Sequence, residues 1–230
     1  MDPGLKTQIT AIAGDCDDTS ETLERYSHDA SLFEVLPSLV VYPKNSSEIE
    51  KLVSLVSDNK KSFPDLAITP RSAGTDMSGG AIGDSIIMDF TKHMNGLIKT
   101  DERQAEVQPG LHYRDFEVET LKHNALMPSF PASSELCALG GMVANNSGGE
   151  MSLRYGKTIN YVTALKTVLP RVLGAACVVS IFKLRSPSPE PSQSPITSAS
   201  APAPAKTISR RRGSVIEVII GTRYKIFWPA

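Results

Sequence analysis

The apolar residues of this chain recur at two spacings, one helical and one typical of short strands. A helix is predicted to begin at Ser46 behind an Asn45 N-cap, because an Asn side chain accepts a hydrogen bond from a free amide of the first turn and Glu48 suits the helix dipole. Four apolar residues follow at helical spacing and should face a sheet: Ile49, Leu52, Val53 and Val56. A second helix is predicted over residues 113–123, with an apolar face formed by Phe116, Leu121 and Val118.

Short apolar runs predict strands on either side of a glycine-rich segment. The first run covers residues 66–69 and the second is Ile86–Asp89. The segment between them contains RSAGTDMSGG at residues 71–80. This segment is therefore predicted to be a loop that links two strands.

The pattern divides the chain into four parts. Residues 1–36 are predicted to form a helical lead-in that packs on residues 37–185, an α/β body that is incomplete after about residue 169. Two apolar faces are expected in the lead-in: Leu5, Ile9 and Ile12 on one, and Leu23 and Tyr26 on the other. Residues 186–214 are rich in Pro, Ser and Ala and are predicted to be disordered, because they bury too little apolar surface to offset chain entropy. Residues 215–230 begin with VIEVII, which either adds a strand to the body or leaves an exposed edge.

Composition and charge indicate a soluble, cytoplasmic protein. The formal net charge is −1, so no preference for nucleic acid or anionic membranes is implied. The chain contains no apolar run long enough for a membrane span, and its first residues lack the basic and apolar regions of a secretory signal. The three cysteines are odd in number and widely spaced, which indicates reduced thiols rather than disulfides or a zinc site: Cys16, Cys137 and Cys177.

Two glycine-rich blocks carry the candidate chemistry, residues 71–80 and residues 131–149. Glycine lets a ligand approach bare backbone amides, and successive amides in such turns form a concave anion site. The first block lacks the Lys and Ser/Thr of a P-loop, since Gly80 and Ala81 stand in their places. It also runs into a strand rather than a helix, which excludes a Rossmann fingerprint. On these residues alone, an anion site and a pair of tight turns are equally good interpretations.

Several blocks occur in an order that resembles a known family. They are Pro37-x-x-Val40-Val41-x-Pro43, the loop RSAGTDMSGG, EVQPG at residues 106–110 and CALGGMVANNSGGEMSLRYGKT at residues 137–158. Residues 39–168 thus resemble the FAD-binding domain of the vanillyl-alcohol oxidase / para-cresol methylhydroxylase (PCMH-type) superfamily, and within it the glycolate oxidase and D-lactate dehydrogenase branch. The resemblance implies an α+β fold of two small α/β subdomains, with the second subdomain incomplete here and a disordered C-terminal tail.

The resemblance also implies a set of cofactor-binding residues. The first block would wrap the diphosphate of FAD with its backbone amides, through Ser72, Ala73, Gly74, Thr75 and Asp76, with Ser78 and Gly79 closing the turn. The second block would approach the diphosphate, ribityl chain and flavin ring through Pro131, Ser134, Gly140, Gly141, Asn146, Gly148 and Gly149. Some members attach flavin through a His in the first loop. Residues 72–75 contain no His, so non-covalent FAD is expected.

Three residues affect how well the two blocks would bind a diphosphate. Ala138 stands where the family often has Thr, which removes one hydrogen bond worth about 1 kcal/mol. The charge of Asp76 would oppose a diphosphate unless its side chain points away or caps a nearby N–H. Arg71 either offsets that charge or is a solvated strand end.

Members of this family transfer a hydride from C2 of a 2-hydroxy acid to flavin N5, which implies an oxidoreductase. Their acid–base and carboxylate-binding residues come largely from a substrate domain that has no counterpart after Arg185, so no catalytic residue is assigned. The Gly-x-x-Gly that precedes the segment ending in Lys183-Leu184 in the family is also missing. The expectation is therefore a truncated or internally deleted enzyme that needs a separate substrate-domain or electron-acceptor partner. The alternative is a folded, non-catalytic remnant or interaction module without flavin.

Overall fold

The computed structural model describes residues 1–169 in full and, beyond them, the backbone of two strands at residues 178–185 and 215–219. The segment 186–214, predicted to be disordered, lies outside the described residues, as does Cys177. The described chain contains α-helices and two separate β-sheets, which confirms the predicted α+β class. Within the described ranges, no helix is both long and apolar enough to cross a membrane.

The first sheet contains four strands in the order β1-β2-β4-β3. Its strands are β1 (Cys16–Asp17), β2 (Leu39–Val41), β3 (Ile68–Arg71) and β4 (Ile86–Asp89). Strand β4 pairs in parallel with β2 and β3, and β1 is an antiparallel edge. The strand predicted at residues 66–69 lies two residues later along the chain, at Ile68–Arg71. The strand predicted at Ile86–Asp89 is confirmed.

Two helices cover one face of this sheet. They are α1 (Pro3–Ala13) and α3 (Ser46–Asn59). As predicted, Asn45 caps α3: its Oδ1 accepts from the Glu48 amide at 3.0 Å, while Glu48 Oε2 accepts from the Lys44 amide at 2.8 Å. The core between helices and sheet is apolar and contains residues of both predicted helical faces: Leu5, Ile9, Ile49, Leu52, Val53, Leu39, Val41, Ile86 and Met88.

The other face of the first sheet carries α2 (Ser20–Tyr26), the second helix of the lead-in. The Tyr26 and Tyr42 rings pack edge to face against each other, with their centroids 6.2 Å apart. They form a buried cluster with Val40 and Ile87 of the sheet. Leu23 is partly buried against this cluster. The lead-in therefore contacts both faces of the sheet, because its two apolar faces belong to two different helices.

The second sheet contains five antiparallel strands in the order β5-β6-β8-β7-β9. Its strands are β5 (Leu97–Thr100), β6 (Gln104–Val107), β7 (Val162–Val168), β8 (Val178–Arg185) and β9 (Val215–Ile219). Strand β9, which lies in the VIEVII run, pairs with β7. Helices α4 (Tyr113–Leu121) and α5 (Leu139–Ala144) pack on this sheet, and α6 (Ser152–Tyr155) with a 3-10 turn at Thr158–Asn160 leads into β7.

The predicted apolar face of α4 is wrong in two positions. Phe116 is buried, but Val118 and Leu121 are 56% and 54% exposed. The buried positions are Tyr113, Phe116 and Thr120, which follow one another at three- and four-residue steps. Leu121 is five residues from Phe116 and so points away from that stripe. Thr120 fills the core position and donates its hydroxyl to the Glu117 carbonyl at 3.1 Å.

Candidate functional site

The first glycine block forms the connection between the parallel strands β3 and β4. It therefore begins at the carboxyl end of β3, which is the end of a parallel sheet where ligands usually bind. Residues 72–77 are without a backbone N–H hydrogen bond to any other described residue. Gly74 has a φ of 67°, a left-handed conformation that favours glycine. Residues 72–76, which carry five of these amides in succession, are half-buried.

The Asp76 carboxylate is turned into its own loop. Its Oδ2 accepts from the Gly80 amide and from Ser78 Oγ, both at 2.7 Å, and its Oδ1 accepts from Asn145 Nδ2 at 3.0 Å. Partial burial opposes ionisation, but these hydrogen bonds outweigh it and lower the pKa of Asp76. Of the two alternatives raised by the sequence, the side chain takes the one that caps nearby N–H groups.

The two glycine blocks meet at the start of α5. Ser72 Oγ donates to the Pro109 carbonyl at 3.0 Å, and the Gly140 amide donates to the same oxygen at 2.8 Å. A Cβ on Gly140 would lie 2.6 Å from both the Pro109 oxygen and Ser72 Oγ. A Cβ on Gly141 would lie 3.9 Å from Ser72 Cβ, an ordinary contact. Only a residue without a side chain fits at position 140, so the close approach of the two blocks depends on it.

The other predicted residues of the second block serve local structure. Asn146 Oδ1 accepts from the Ile159 amide at 3.0 Å, and the Gly149 amide donates to Ser152 Oγ at 2.7 Å. Pro131 accepts a backbone hydrogen bond from the buried Ser134 at 3.0 Å. A Cβ on Gly148 would lie 2.5 Å from Ser152 Oγ. Ala138 caps α5 without a side-chain hydrogen bond, as the substitution for Thr implies.

An open cavity of about 500 Å³ lies beside the first loop. Four of the predicted residues line it, namely Ser72, Ala73, Gly74 and Thr75. From the second block it is Leu136, not a predicted residue, that reaches the cavity. Arg71, at the end of β3, also lines the cavity. The rest of the lining was not predicted and comes from the lead-in, the end of β4 and the start of α4: Arg25, Tyr26, His28, Asp29, Ala30, Asp89, Thr91 and His112.

The lead-in residues reach the cavity because they are hydrogen-bonded to the first loop. The Ala30 amide donates to the Gly74 carbonyl at 3.1 Å, and Asp29 Oδ2 accepts from the Ala81 amide at 3.4 Å. Phe33 packs where a Cβ of Gly79 would lie, 3.0 Å away. The only sequence signal for this wall was the polar run that follows Tyr26 at the end of α2.

A group of charged and aromatic side chains lines one wall of the cavity. Tyr26 Oη donates to Asp89 Oδ2 at 2.8 Å, and Asp89 Oδ1 accepts from Thr91 Oγ1 at 2.7 Å. Burial raises the pKa of Tyr26 far above its ordinary range, so its hydroxyl remains a donor. Arg71 lies over the Tyr26 ring, 5.1 Å from Cζ to the centroid, and donates to the Ala81 carbonyl at 3.2 Å. Arg71 is therefore a packed residue and not a solvated strand end.

Across residues 1–169 and the two further strands, no group of three or more His, Cys, Asp or Glu is arranged to hold a metal ion. The thiol of Cys137 is buried, which raises its pKa to about 11 and leaves it a poor nucleophile. The first loop has amides without acceptors among the described residues, and the cavity beside it is lined by Arg25 and Arg71.

Comparison with known proteins gives one family match and many relatives. A family described as "FAD binding domain" matches residues 37–171. The glycolate oxidase subunit GlcD of Bacillus subtilis is 31% identical over 172 residues, which are 72% of this chain and 35% of that protein. The D-2-hydroxyglutarate dehydrogenase of Haemophilus influenzae is 32% identical over 143 residues, which are 61% of this chain and 14% of that protein. The D-lactate dehydrogenase of Anaerostipes hadrus is 31% identical over 156 residues, which are 65% of this chain and 31% of that protein.

Solved structures show the same fold. An alkyldihydroxyacetonephosphate synthase matches with a TM-score of 0.68 at 20% identity, covering 80% of this chain and 40% of its own. A p-cresol methylhydroxylase with substrate bound matches with a TM-score of 0.63 at 17% identity, and the match covers 81% of this chain and 43% of that protein. The chain thus spans 35% or less of the length of the three sequence relatives named above.

Proposed function

Because this chain belongs to the FAD binding domain family, we propose that its first glycine loop binds the diphosphate of FAD through the backbone amides of residues 72–76, without a covalent bond. The observation that supports this most directly is that these amides have no hydrogen-bond acceptor among the described residues. Backbone amides that lack a partner are costly to bury, and an anion satisfies several of them at once. A diphosphate has the charge and the number of acceptor oxygens to do so.

The residues present fit this cofactor in three respects. Gly140 has no side chain, so Ser72 of the first loop packs directly on the backbone of the second block and holds the two blocks together. The cavity of about 500 Å³ is within the range of small-molecule sites. The acid in the loop, Asp76, is occupied by hydrogen bonds to Ser78, Gly80 and Asn145.

We assign the remaining predicted residues to support of this site. Ser78 and Gly79 close the first loop, and Gly141 borders Ser72 at the junction of the two blocks. The residues farther along the second block keep its backbone in shape: Pro131, Ser134, Asn146, Gly148 and Gly149. Residues 72–75 contain no His for a flavin linkage, which supports non-covalent binding.

We further propose that the chain is the cofactor-binding part of an oxidoreductase acting on 2-hydroxy acids, since relatives are named glycolate oxidase, D-2-hydroxyglutarate dehydrogenase and D-lactate dehydrogenase. Bound FAD would supply a hydride acceptor. The chain's own residues bind and orient the cofactor, and we assign none of them as acid or base. Two apolar side chains near the first loop are exposed, Leu32 by 103% and Met77 by 82%. They lie close to each other in the fold, because Phe33 packs against Gly79. This apolar surface suits contact with a substrate-binding or electron-accepting partner.

The first experiment is a flavin assay on purified protein. An absorbance scan followed by heat release and chromatography should yield one FAD per chain, released without proteolysis. Flavin that stays with denatured protein would contradict non-covalent binding. A colourless protein that remains so after incubation with FAD, yet unfolds cooperatively, would overturn the proposal and leave a folded module without flavin.

A second experiment tests the substrate part of the proposal. The FAD-loaded chain is mixed anaerobically with glycolate, D-lactate or D-2-hydroxyglutarate, and the flavin absorbance is followed. Because no substrate-binding residue is assigned to this chain, the flavin should stay oxidised. Rapid bleaching by one of these acids would show that the chain carries its own substrate site.

A further inference from the structure

Arg71 places a positive charge directly beneath the first glycine loop. It is the last residue of β3, and its guanidinium occupies the space that a side chain at position 74 would need. A Cβ on Gly74 would lie 2.7 Å from Arg71 Cζ. The cation therefore lies under the turn whose amides are without acceptors.

Neighbouring groups fix the position of this guanidinium. The Tyr26 ring lies against it at 5.1 Å, and the Ala81 carbonyl accepts from Nη1 at 3.2 Å. The Tyr26 hydroxyl is itself held by Asp89 at 2.8 Å. A planar guanidinium stacked on an aromatic ring loses little further freedom when it interacts with a ligand.

The charge of Arg71 is only partly compensated. Within residues 1–169, Arg71 forms no ion pair with a carboxylate. The carboxylate that attracts it most is Asp89, which already accepts from Tyr26 and Thr91, and the attraction to Asp29 is weaker. Burial lowers the pKa of Arg71, but an arginine remains charged at neutral pH. A half-buried cation without a paired carboxylate, next to free amides, is suited to an anion.

We propose that Arg71, held in place by Tyr26, is a positioning and specificity residue that sets the affinity of the loop for the diphosphate of FAD. This inference rests on the proposed function. The backbone amides supply the hydrogen bonds, and Arg71 adds a fixed charge in a partly desolvated place, where charge–charge attraction is stronger than in water. The same charge would favour FAD over a flavin without phosphate.

The test measures the dissociation constant of FAD by fluorescence titration at low and high salt. In the Arg71→Gln variant we expect affinity to fall roughly ten- to hundred-fold at low salt, because one charge–charge contact is lost. The salt dependence of binding should fall as well, because the screened interaction is gone. The matched control is Arg103→Gln, which removes the same charge from the exposed turn between β5 and β6, outside the cavity. We expect that control to lose affinity less than about three-fold.

A conservative variant separates charge from position. Arg71→Lys keeps the charge on a flexible stem that lacks the planar fork, so affinity should fall by roughly three- to ten-fold. If circular dichroism shows that Arg71→Gln does not fold, the inference is tested by comparing the FAD affinities of Arg71→Lys and Arg103→Gln. Equal affinities in wild type and Arg71→Lys, or equal losses in Arg71→Gln and Arg103→Gln, would overturn the inference. Failure of the wild-type chain to bind FAD would instead overturn the proposed function.

Discussion

The junction of the two glycine blocks offers a sharp test of the packing, through the substitution Gly140→Ala. The new methyl group would lie 2.6 Å from the Pro109 oxygen, 2.6 Å from Ser72 Oγ and 2.9 Å from Pro109 Cβ. Two of these three atoms belong to a proline, which cannot rotate away. The backbone of α5 must therefore move, and the 2.8 Å hydrogen bond from the Gly140 amide to the Pro109 carbonyl must lengthen.

The size of the effect follows from two opposing contributions. Adding a methyl group to a filled space costs about 1–3 kcal/mol. Alanine in place of glycine within a helix recovers about 1 kcal/mol. The net expectation for Gly140→Ala is a loss of up to about 2 kcal/mol in the free energy of unfolding.

The neighbouring residue provides the control. Gly141→Ala places its methyl group 3.9 Å from Ser72 Cβ, so only the helix gain remains and stability should be unchanged or rise by up to about 1 kcal/mol. Only Gly140→Ala carries the steric cost of about 1–3 kcal/mol, so the melting temperatures of the two variants should differ by about 2–12 °C, at about 2–4 °C per kcal/mol for a protein of this size. Equal melting temperatures, or a less stable Gly141→Ala, would refute the reasoning.

Two further predictions concern the second sheet and the first loop. Phe116→Ala should cost about 3–5 kcal/mol and Leu121→Ala less than about 0.5 kcal/mol in urea unfolding, because only Phe116 is buried; similar losses would contradict the burial pattern. The pKa of Asp76 is lowered in the folded state, so its stabilisation should be complete above its ordinary value of 3.8 and disappear as the pH falls through the lowered value. The stability advantage of wild type over Asp76→Asn, followed by thermal unfolding from pH 7 to pH 3, should therefore shrink with acid, and a constant advantage would contradict this.

Local features of the fold could be predicted from the sequence. The Asn45 cap, the buried face of α3 and the strand Ile86–Asp89 all depend on residues within a few positions of one another. The predicted apolar face of α4 is wrong at Leu121, because helical spacing from Phe116 gives the core position to Thr120, which hydrophobicity alone does not indicate. A threonine can be buried when its hydroxyl bonds to the preceding turn, as it does to Glu117.

The site was predictable only in part, because its geometry depends on contacts between distant residues. The first loop could be recognised from its glycines, and four of its residues do line the cavity. The partner of Asp76 is Asn145, but adjacent asparagines give no sign of which one faces the loop. The cavity wall formed by Tyr26 depends on a hydrogen bond to Asp89, 63 residues away, which no local pattern reveals.

The lead-in is bonded to the first loop, and this has a consequence for how the domain can be cut and transplanted. The family match begins at residue 37, after the last lead-in residue that lines the cavity. A fragment or chimera designed on that boundary would keep both glycine blocks but leave the Gly74 carbonyl without its Ala30 donor and Arg71 without its ring. Grafting this cofactor module onto another protein therefore requires the host junction to precede α2 rather than β2.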